Sequence, residues 1–243
     1  MRTTLRTAIK TLPGGGQALA LYQRYRLAPR LAHRGYVGGW WHRIGQAQFD
    51  FMVQQGLRPQ DVLLDVACGS LRGGRLFIDY LEPGHYLGLD RHAWLIEAGL
   101  RYEVPNRVKR KKRPQFVISD RFEFERFGRR PTFALAQSLF SHLTKPDIRL
   151  CLTNLRSVMG GGDRFFATFI RAGSIGETHH NPEESDDVKP FQYEPDEILK
   201  VGRETGWQGT CLGDWGHPRG QEMLEFIAPA AAPRAVNATS RAV

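Results

Sequence analysis

The chain has 243 residues, 41% of them hydrophobic, and carries 34 Lys or Arg against 25 Asp or Glu, a formal net charge of +9. This size and composition suit one large α/β domain with a full core. Its three cysteines, Cys68, Cys151 and Cys211, lie too far apart for a disulfide framework or a metal-ligand pair, and no apolar run is long enough to form a membrane-spanning helix.

The positive charge is concentrated in two stretches. Residues 1–49 contain eight Arg or Lys and no acid, and a second basic run covers residues 107–113. Such an excess is typical of a solvated surface, but it also suits nucleic acid, an anionic membrane or an anionic substrate. The N-terminus lacks the apolar core of a signal peptide. It resembles a transit peptide in composition, yet it continues without a break into patterned sequence, which favours a cytoplasmic protein.

The N-terminal part of the chain predicts helices followed by a lid. Residues 1–12 and 17–27 have helical patterns. Residues 35–45 are aromatic and rich in glycine, which predicts a lid that contacts a ligand; core packing of Trp40 and Trp41 is the alternative. We therefore expect residues 1–45 to form a basic helical arm or lid.

The following pattern predicts one main domain over residues 46–228. A helix is expected over residues 46–55, with Gly56 as its C-terminal cap. Residues 229–243 are rich in Ala and Pro, which predicts a disordered tail.

Strands and helices alternate through the main domain. The predicted strands are 62–66, 85–90, 115–118, 133–136, 164–170, 207–212 and 222–227. The predicted helices are 75–81, 93–102, 144–159 and 195–205, while the basic run before Pro114 is expected to be a surface connection. Alternation of this kind predicts parallel strands with right-handed crossovers, and the last two strands predict a closing hairpin. Ligands are then expected beyond the carboxyl ends of the strands.

The loop after the first strand has the character of a nucleotide-binding turn. Asp65 ends a buried apolar run, and Ala67, Cys68, Gly69 and Ser70 follow it. The dinucleotide fingerprint requires three glycines, and the sequence places Ala67, Gly69 and Arg72 at those positions. An Arg at the third position opposes close helix–sheet packing. The phosphate-binding P-loop is excluded as well, because no Gly-Lys-Ser/Thr is present.

A set of acids at successive strand ends carries a family resemblance. Asp65-x-Ala67-Cys68-Gly69-Ser70, Asp90 after the second strand and Ser119-Asp120 after the third resemble the class I S-adenosylmethionine-dependent methyltransferase family over about residues 45–228. The chain departs from that family's E/D-x-G-x-G-x-G pattern at Ala67 and Leu71. The resemblance implies a Rossmann-like, doubly wound α/β fold. Its seven-stranded sheet would be mostly parallel and closed by an antiparallel C-terminal hairpin.

The resemblance also implies S-adenosyl-L-methionine as the cofactor and assigns residues to it. Asp65 would lie near the amino group of the methionine part, and Asp90 would accept hydrogen bonds from both ribose hydroxyls. Arg72 is a candidate contact for the carboxylate. The complete predicted set is Asp65, Ala67, Cys68, Gly69, Ser70, Arg72, Asp90, Arg91, Asp120, Arg121, Phe122 and Gln137.

Three histidines are candidates for a general base or an acceptor contact. His142 lies near the end of the fourth strand, and His179 and His180 follow the fifth strand, where this family often builds its acceptor pocket. The two adjacent histidines, with Glu177 and Glu183, also have the residue types of a divalent-metal site. A solvated acidic loop is the favoured interpretation, so no metal is expected.

These residues predict methyl transfer to an oxygen of a small molecule such as a sugar or a lipid-linked or secondary metabolite. The Asn-Pro-Pro-Tyr signature of base N-methylation is absent; Gln137-Ser138-Leu139-Phe140 stands in its place. The expected partner is therefore a small-molecule acceptor rather than nucleic acid, with peripheral membrane contact through the basic N-terminus left open. The alternative is a basic Rossmann-like module for nucleic acid or an anionic surface, with RNA or protein methylation as a variant.

Overall fold

The computed structural model describes residues 32–174, 181–186 and 189–230. In these ranges the helices are α1 (Ala32–Tyr36), α2 (Trp41–Gln54), α3 (Gly74–Tyr80), α4 (Ala93–Tyr102), α5 (Asn106–Lys112), α6 (Lys145–Val158) and α7 (Pro195–Glu204). The strands are β1 (Leu63–Val66), β2 (Tyr86–Asp90), β3 (Gln115–Ile118), β4 (Phe133–Ala136), β5 (Arg164–Phe169), β6 (Gln208–Asp214) and β7 (Glu222–Ile227). Short 3-10 turns follow β3 and β4.

The seven strands form one sheet in the order β3-β2-β1-β4-β5-β7-β6. Strands β1 to β5 are parallel, and β7 runs antiparallel to both of its neighbours. The strand order reverses between β1 and β4, and ligands of doubly wound sheets bind in the crevice at such a reversal. The predicted fold class is therefore confirmed: a mostly parallel, Rossmann-like sheet closed by an antiparallel hairpin.

Each face of the sheet supports its own hydrophobic core. On one face, apolar residues of α6 and α7 pack against alternate strand residues such as Leu64 and Phe165. On the other face, residues of α2 and α3 pack with Leu63 and Phe166. A strand buried on both faces reads as a continuous apolar run, which explains why β1 was recognisable in the sequence.

The N-terminus of helix α6 is set by residues at that end of the helix. Thr144 is its N-cap, and its hydroxyl accepts from the backbone N–H of Asp147 and donates to the Asp147 carboxylate, 2.9 Å away. Ile148, Cys151 and Leu155 then recur on one buried face. The predicted helix over residues 144–159 is thus confirmed.

The sequence misread two segments. The basic run is part of helix α5 rather than an irregular connection. None of its residues is buried, so it lacks the apolar periodicity on which the prediction depended. Helix α2 begins at Trp41, before the predicted helix start at residue 46.

Some of the predicted segments cannot be compared with the structure. The predicted helices over 1–12 and 17–27 and most of the predicted tail lie outside the described residues. Among the described helices, none has the length and apolarity needed to cross a bilayer.

Candidate functional site

A cavity of about 540 Å³ lies at the carboxyl ends of β1 to β4. It gathers residues that the sequence placed at successive strand ends, as expected for parallel strands. Ten of the predicted cofactor-binding residues line it: Asp65, Ala67, Cys68, Gly69, Arg72, Asp90, Arg91, Asp120, Phe122 and Gln137. The candidate base His142 lines it as well.

The remaining predicted residues have other positions. Ser70 is fully buried, and its hydroxyl donates to the backbone carbonyl of His33 at 3.2 Å, so it holds helix α1 instead of lining the cavity. Arg121 does not line the cavity either, because its side chain is exposed and its carbonyl accepts from Asn154. His179 and His180 lie outside the described residues.

The loop after β1 alternates between left-handed and other backbone conformations. Ala67, Gly69 and Leu71 have φ angles of 59°, 53° and 67°. Ala67 and Leu71 are the positions at which the sequence departs from the family pattern of glycines. The loop therefore keeps the backbone path that glycine normally provides, at a cost of about 1–2 kcal/mol for each non-glycine residue. Leu71 is fully buried, and the burial of its side chain offsets part of that cost.

Two glycines, Gly73 and Gly74, lie where the loop meets helix α3. A Cβ atom on Gly74 would lie 2.4 Å from the Tyr86 hydroxyl, so only glycine lets this hydroxyl pass the start of α3. The Tyr86 hydroxyl donates to Asp65 Oδ2 at 2.7 Å. The Gly73-Gly74 pair thus serves the close packing that the family's third glycine would be expected to serve.

Asp65 is a buried acid whose charged form is disfavoured in the absence of a ligand. It is 6% exposed, and burial raises its pKa to about 7, with a smaller raising effect from Asp90. The hydrogen bond from Tyr86 and the charge of Arg72 lower the pKa in part. A positively charged ligand group beside Asp65 would restore the carboxylate.

Asp90 links the end of β2 to the loop after β1. Its Oδ2 accepts from the backbone N–H of Gly69 and its Oδ1 from that of His92, both at 2.8 Å. These bonds fix the carboxylate at the cavity wall. A carboxylate oxygen has a further lone pair, so hydroxyl donors of a ligand remain acceptable.

A segment from the N-terminal side closes over this loop. We call residues 36–40 the strap; its members Tyr36, Val37 and Gly38 line the cavity. Trp40 is 48% exposed, while the neighbouring Trp41 is 6% exposed and belongs to the core. Residues 36–38 therefore line the cavity, as expected of a lid, whereas Trp41 packs in the core, as the alternative interpretation expects.

Two arginines hold the backbone of the strap. Arg72 Nη1 donates to the carbonyls of Val37 and Gly39 at 2.8 and 3.2 Å, and Arg219 donates to the carbonyl of Gly38. Arg72 is 8% exposed, and its pKa is lowered to about 10 by burial and by the charge of Arg219. The side chain predicted to contact a ligand carboxylate thus also binds the strap.

Neutral polar groups form the opposite wall of the cavity. Gln137 Nε2 lies 3.0 Å from Ser138 Oγ and 3.1 Å from Gln221 Oε1, which also accepts from Thr168. Ser138 has a left-handed φ of 59°. Gln137 Oε1 is buried and has no partner among the described residues.

His217 supports this wall as an uncharged side chain. It is 5% exposed, and burial, followed by the charges of Arg72 and Arg219, lowers its pKa to about 4. Its Nδ1 accepts from the backbone N–H groups of Arg219 and Gln221, both at 3.3 Å. The proton of the neutral ring therefore sits on Nε2, 3.3 Å from the side-chain amide of Gln137, whose oxygen and not its NH₂ group can accept it.

His142 is oriented as a base requires. Its Nδ1 lies 2.9 Å from the carbonyl oxygen of Asp186, and its own carbonyl accepts from the Asp186 N–H. Since a carbonyl only accepts, Nδ1 carries the proton in the neutral ring and Nε2 keeps its lone pair. The loop after β5 thus fixes the tautomer of a side chain that follows β4.

Several lining residues were not assigned from the sequence. They are Gln48, Gly73, Leu89, His92, Leu95, Ser138, Leu139, Leu143, Asp147, Ser185 and Gln221. Ser138 was detectable in principle, because it adjoins Gln137 at a strand end. Gln221 carried no signal, because it meets Gln137 across 84 positions of sequence.

The described residues contain no group of three or more His, Cys, Asp or Glu side chains placed to hold a metal ion. Glu177, His179 and His180 lie outside them. No protein-family model matches the chain.

Solved structures share its fold. The magnesium protoporphyrin IX methyltransferase from Synechocystis PCC 6803 with bound SAM has a TM-score of 0.52 and 14% identity, over 76% of this chain and 80% of that one. The glycopeptide N-methyltransferase MtfA complexed with S-adenosyl-L-methionine has a TM-score of 0.57 and 15% identity, over 76% of this chain and 94% of that one. Human N-acetylserotonin methyltransferase in complex with SAM has a TM-score of 0.60 and 10% identity, over 90% of this chain and 61% of that one.

The chain has the class I methyltransferase fold. At identities of 10–15%, the similarity concerns the fold, and the sites must be argued from this chain's own residues. The cavity covers the topological switch point between β1 and β4, and Asp65 and Asp90 both line it.

Proposed function

We propose that the protein is an S-adenosylmethionine-dependent methyltransferase that methylates an oxygen atom of a small-molecule acceptor. The observation that carries this proposal is the placement of Asp65 and Asp90 on one cavity with the left-handed loop between them. A pyrophosphate bound at the loop after β1 would be repelled by Asp65. A cofactor with an ammonium group, a sulfonium and two ribose hydroxyls suits both acids.

The polar groups that line the cavity suit the same cofactor. Asp65 would bind the ammonium group, and Asp90 would bind the ribose hydroxyls beside its bonds to Gly69 and His92. Arg72, with its unpaired Nε, would bind the carboxylate. Asp120 and Phe122, which line the cavity after β3, would flank the adenine. The bound cofactor supplies a methyl group activated by a sulfonium.

His142 is the proposed general base. Its Nε2 would accept the proton of the acceptor hydroxyl when that oxygen receives the methyl group that the cofactor would supply. General-base assistance of this kind contributes roughly 10²–10⁴ in rate. Gln137, Ser138 and Gln221 would orient the acceptor, and closure of the cavity would exclude water. His179 and His180 stay candidates for further acceptor contacts.

The proposal is tested first by ligand binding. S-adenosylhomocysteine is expected to raise the melting temperature because it binds only the folded state, whereas NADH is expected to leave it unchanged. Equal shifts, or no shift with either ligand, would reject the cofactor assignment. The acceptor is then sought by metabolite profiling of cells with and without the gene, for species that differ by one CH₂ unit.

A further inference from the structure

Arg72 carries a buried positive charge that the described residues do not neutralise. Its Nη1 is occupied by two strap carbonyls, but its Nε is buried without a hydrogen-bond partner. No carboxylate among the described residues forms an ion pair with it, although the charge of Asp65 acts on it. A buried guanidinium without a direct ion-pair partner is costly, so an anionic ligand group beside Nε would explain its position.

The strap lies directly on the loop that Arg72 belongs to. A Cβ atom on Gly69 would be 2.9 Å from Val37 Cγ1, so the strap occupies the space that a side chain at residue 69 would need. On its N-terminal side the segment is anchored independently, because His33 and Arg34 both bond to Glu103 at 2.7 Å. Movement of the strap therefore breaks contacts to Arg72 and Arg219 but leaves the anchor at Glu103 in place.

We propose that the carboxylate of the bound cofactor pairs with Arg72 and thereby fastens the strap over the cavity. This inference rests on the proposed function, because it takes the ligand to be S-adenosylmethionine or its product. One planar guanidinium binds the ligand on its Nε side and the strap on its Nη1 side, an arrangement that a lysine ammonium cannot reproduce. The amino-acid end of the cofactor, and not its adenosine, then controls closure.

Charge distribution supports this coupling. Arg72 and Arg219 both bind strap carbonyls, and their mutual repulsion contributes to the lowered pKa of Arg72. A carboxylate between the loop and the strap reduces that repulsion, so that Arg72 and Arg219 can both keep their bonds to the strap carbonyls at a lower electrostatic cost. We therefore expect the strap to be held more firmly in the complex than in the free protein.

Amide hydrogen exchange of the strap tests the proposal. The N–H groups of Val37, Gly38 and Gly39 bond to carbonyls of residues 33–35 and report on its opening. Exchange is compared for the free protein, for the S-adenosylhomocysteine complex, and for the complex with S-adenosyl-3-thiopropylamine, which lacks only the carboxylate. Binding of both ligands is measured by calorimetry, and both are used at saturation.

The expected result is slowing of strap exchange by at least about tenfold with S-adenosylhomocysteine and by less than about twofold with the decarboxylated analogue. Equal slowing by both saturating ligands, or none by S-adenosylhomocysteine despite binding, overturns the coupling and leaves the cofactor assignment intact. Absence of S-adenosylhomocysteine binding overturns both proposals.

Two variants separate the contact of Arg72 with the strap, which is proposed to depend on the ligand, from the contact of Arg219 with the strap. Arg72→Lys is expected to bind S-adenosylhomocysteine more weakly and, at saturation, to lose most of the ligand-dependent slowing. Arg219→Gln removes the bond to the Gly38 carbonyl, so it is expected to exchange faster overall but to keep the ratio between free and bound protein. If Arg219→Gln lost the ratio of exchange rates between free and bound protein while Arg72→Lys kept it, the coupling would depend on Arg219, and the proposal for Arg72 would be overturned.

Discussion

The two halves of the cavity are built from different parts of the chain. The cofactor half comes from the ends of β1 and β2, where Asp65, Asp90 and the intervening loop lie within about one βαβ unit. The acceptor half brings together Gln137, His142 and Gln221, which come from separate elements and meet through contacts up to 84 positions apart. Sequence proximity therefore defines one half, and tertiary packing defines the other.

The halves also differ in charge. Asp65, Asp90 and Arg72 give the cofactor half groups that match a ligand carrying both signs. Gln137, Ser138 and His217 give the opposite wall neutral groups, because the pKa of His217 is about 4.

The largest effect is expected for His142→Ala in the acceptor half. Loss of the base should lower kcat by about 10³-fold, within the usual range for a general base, while calorimetry shows unchanged S-adenosylhomocysteine affinity. His85→Ala is a matched control, because His85 Nδ1 also contacts a carbonyl, that of Asp61 at 3.1 Å, near the other end of the sheet. A kcat loss below about threefold in His142→Ala would remove His142 from catalysis.

The next effect belongs to the cofactor half. Asp90→Ala removes the carboxylate that is proposed to accept two hydrogen bonds from the ribose hydroxyls, worth together about 3 kcal/mol, so affinity for S-adenosylhomocysteine should fall on the order of 100-fold. Calorimetry measures it. Asp61→Ala is the control, since its carboxylate also accepts a backbone N–H, from Arg58 at 2.7 Å, but does not line the cavity. Equal affinities in both variants would contradict the ribose assignment.

A smaller effect follows from the pKa of Asp65. Binding of an ammonium group requires its carboxylate, and a pKa of about 7 means that affinity for S-adenosylhomocysteine should fall about tenfold between pH 8 and pH 6. Asp65→Asn should bind more weakly at pH 8 and show no such decline. A decline of the same size in the variant would assign the titration to another group.

The same pKa predicts the sign of a stability change. Because the folded-state pKa of Asp65 is raised from 3.8, its effect favours folding below pH 4 and is lost as pH rises through 7. Ligand-free Asp65→Asn should therefore gain stability over wild type as pH rises from 4 to 8, measured by urea unfolding. A gain that is independent of pH would contradict the assignment.

The features that could be predicted from the sequence are those set by local patterns, and the features that were missed depend on contacts between distant residues. Strands β3, β4 and β7 were predicted to the residue, because apolar runs bounded by turn residues are local signals. Asp65 and Asp90 were found because parallel strands align their carboxyl ends. Helix α5 was missed because its charged residues pack nothing into the core. The bond from Arg219 to the Gly38 carbonyl joins residues 181 positions apart, and no local pattern encodes it.

The smallest predicted effect tests whether the cofactor loop stores strain. Ala67→Gly relieves a left-handed alanine, which costs about 1–2 kcal/mol, but it adds freedom to the unfolded chain worth about 0.4–1 kcal/mol. The free energy of unfolding should therefore rise by less than about 1 kcal/mol, with unchanged affinity for S-adenosylhomocysteine. Ala98→Gly, inside helix α4, should lower it by about 0.5–1 kcal/mol because its backbone is right-handed. Urea unfolding measures both, and the opposite signs separate backbone strain from a general effect of glycine. Equal destabilisation by the two variants would mean that the loop holds Ala67 without strain, and its departure from glycine would then be neutral.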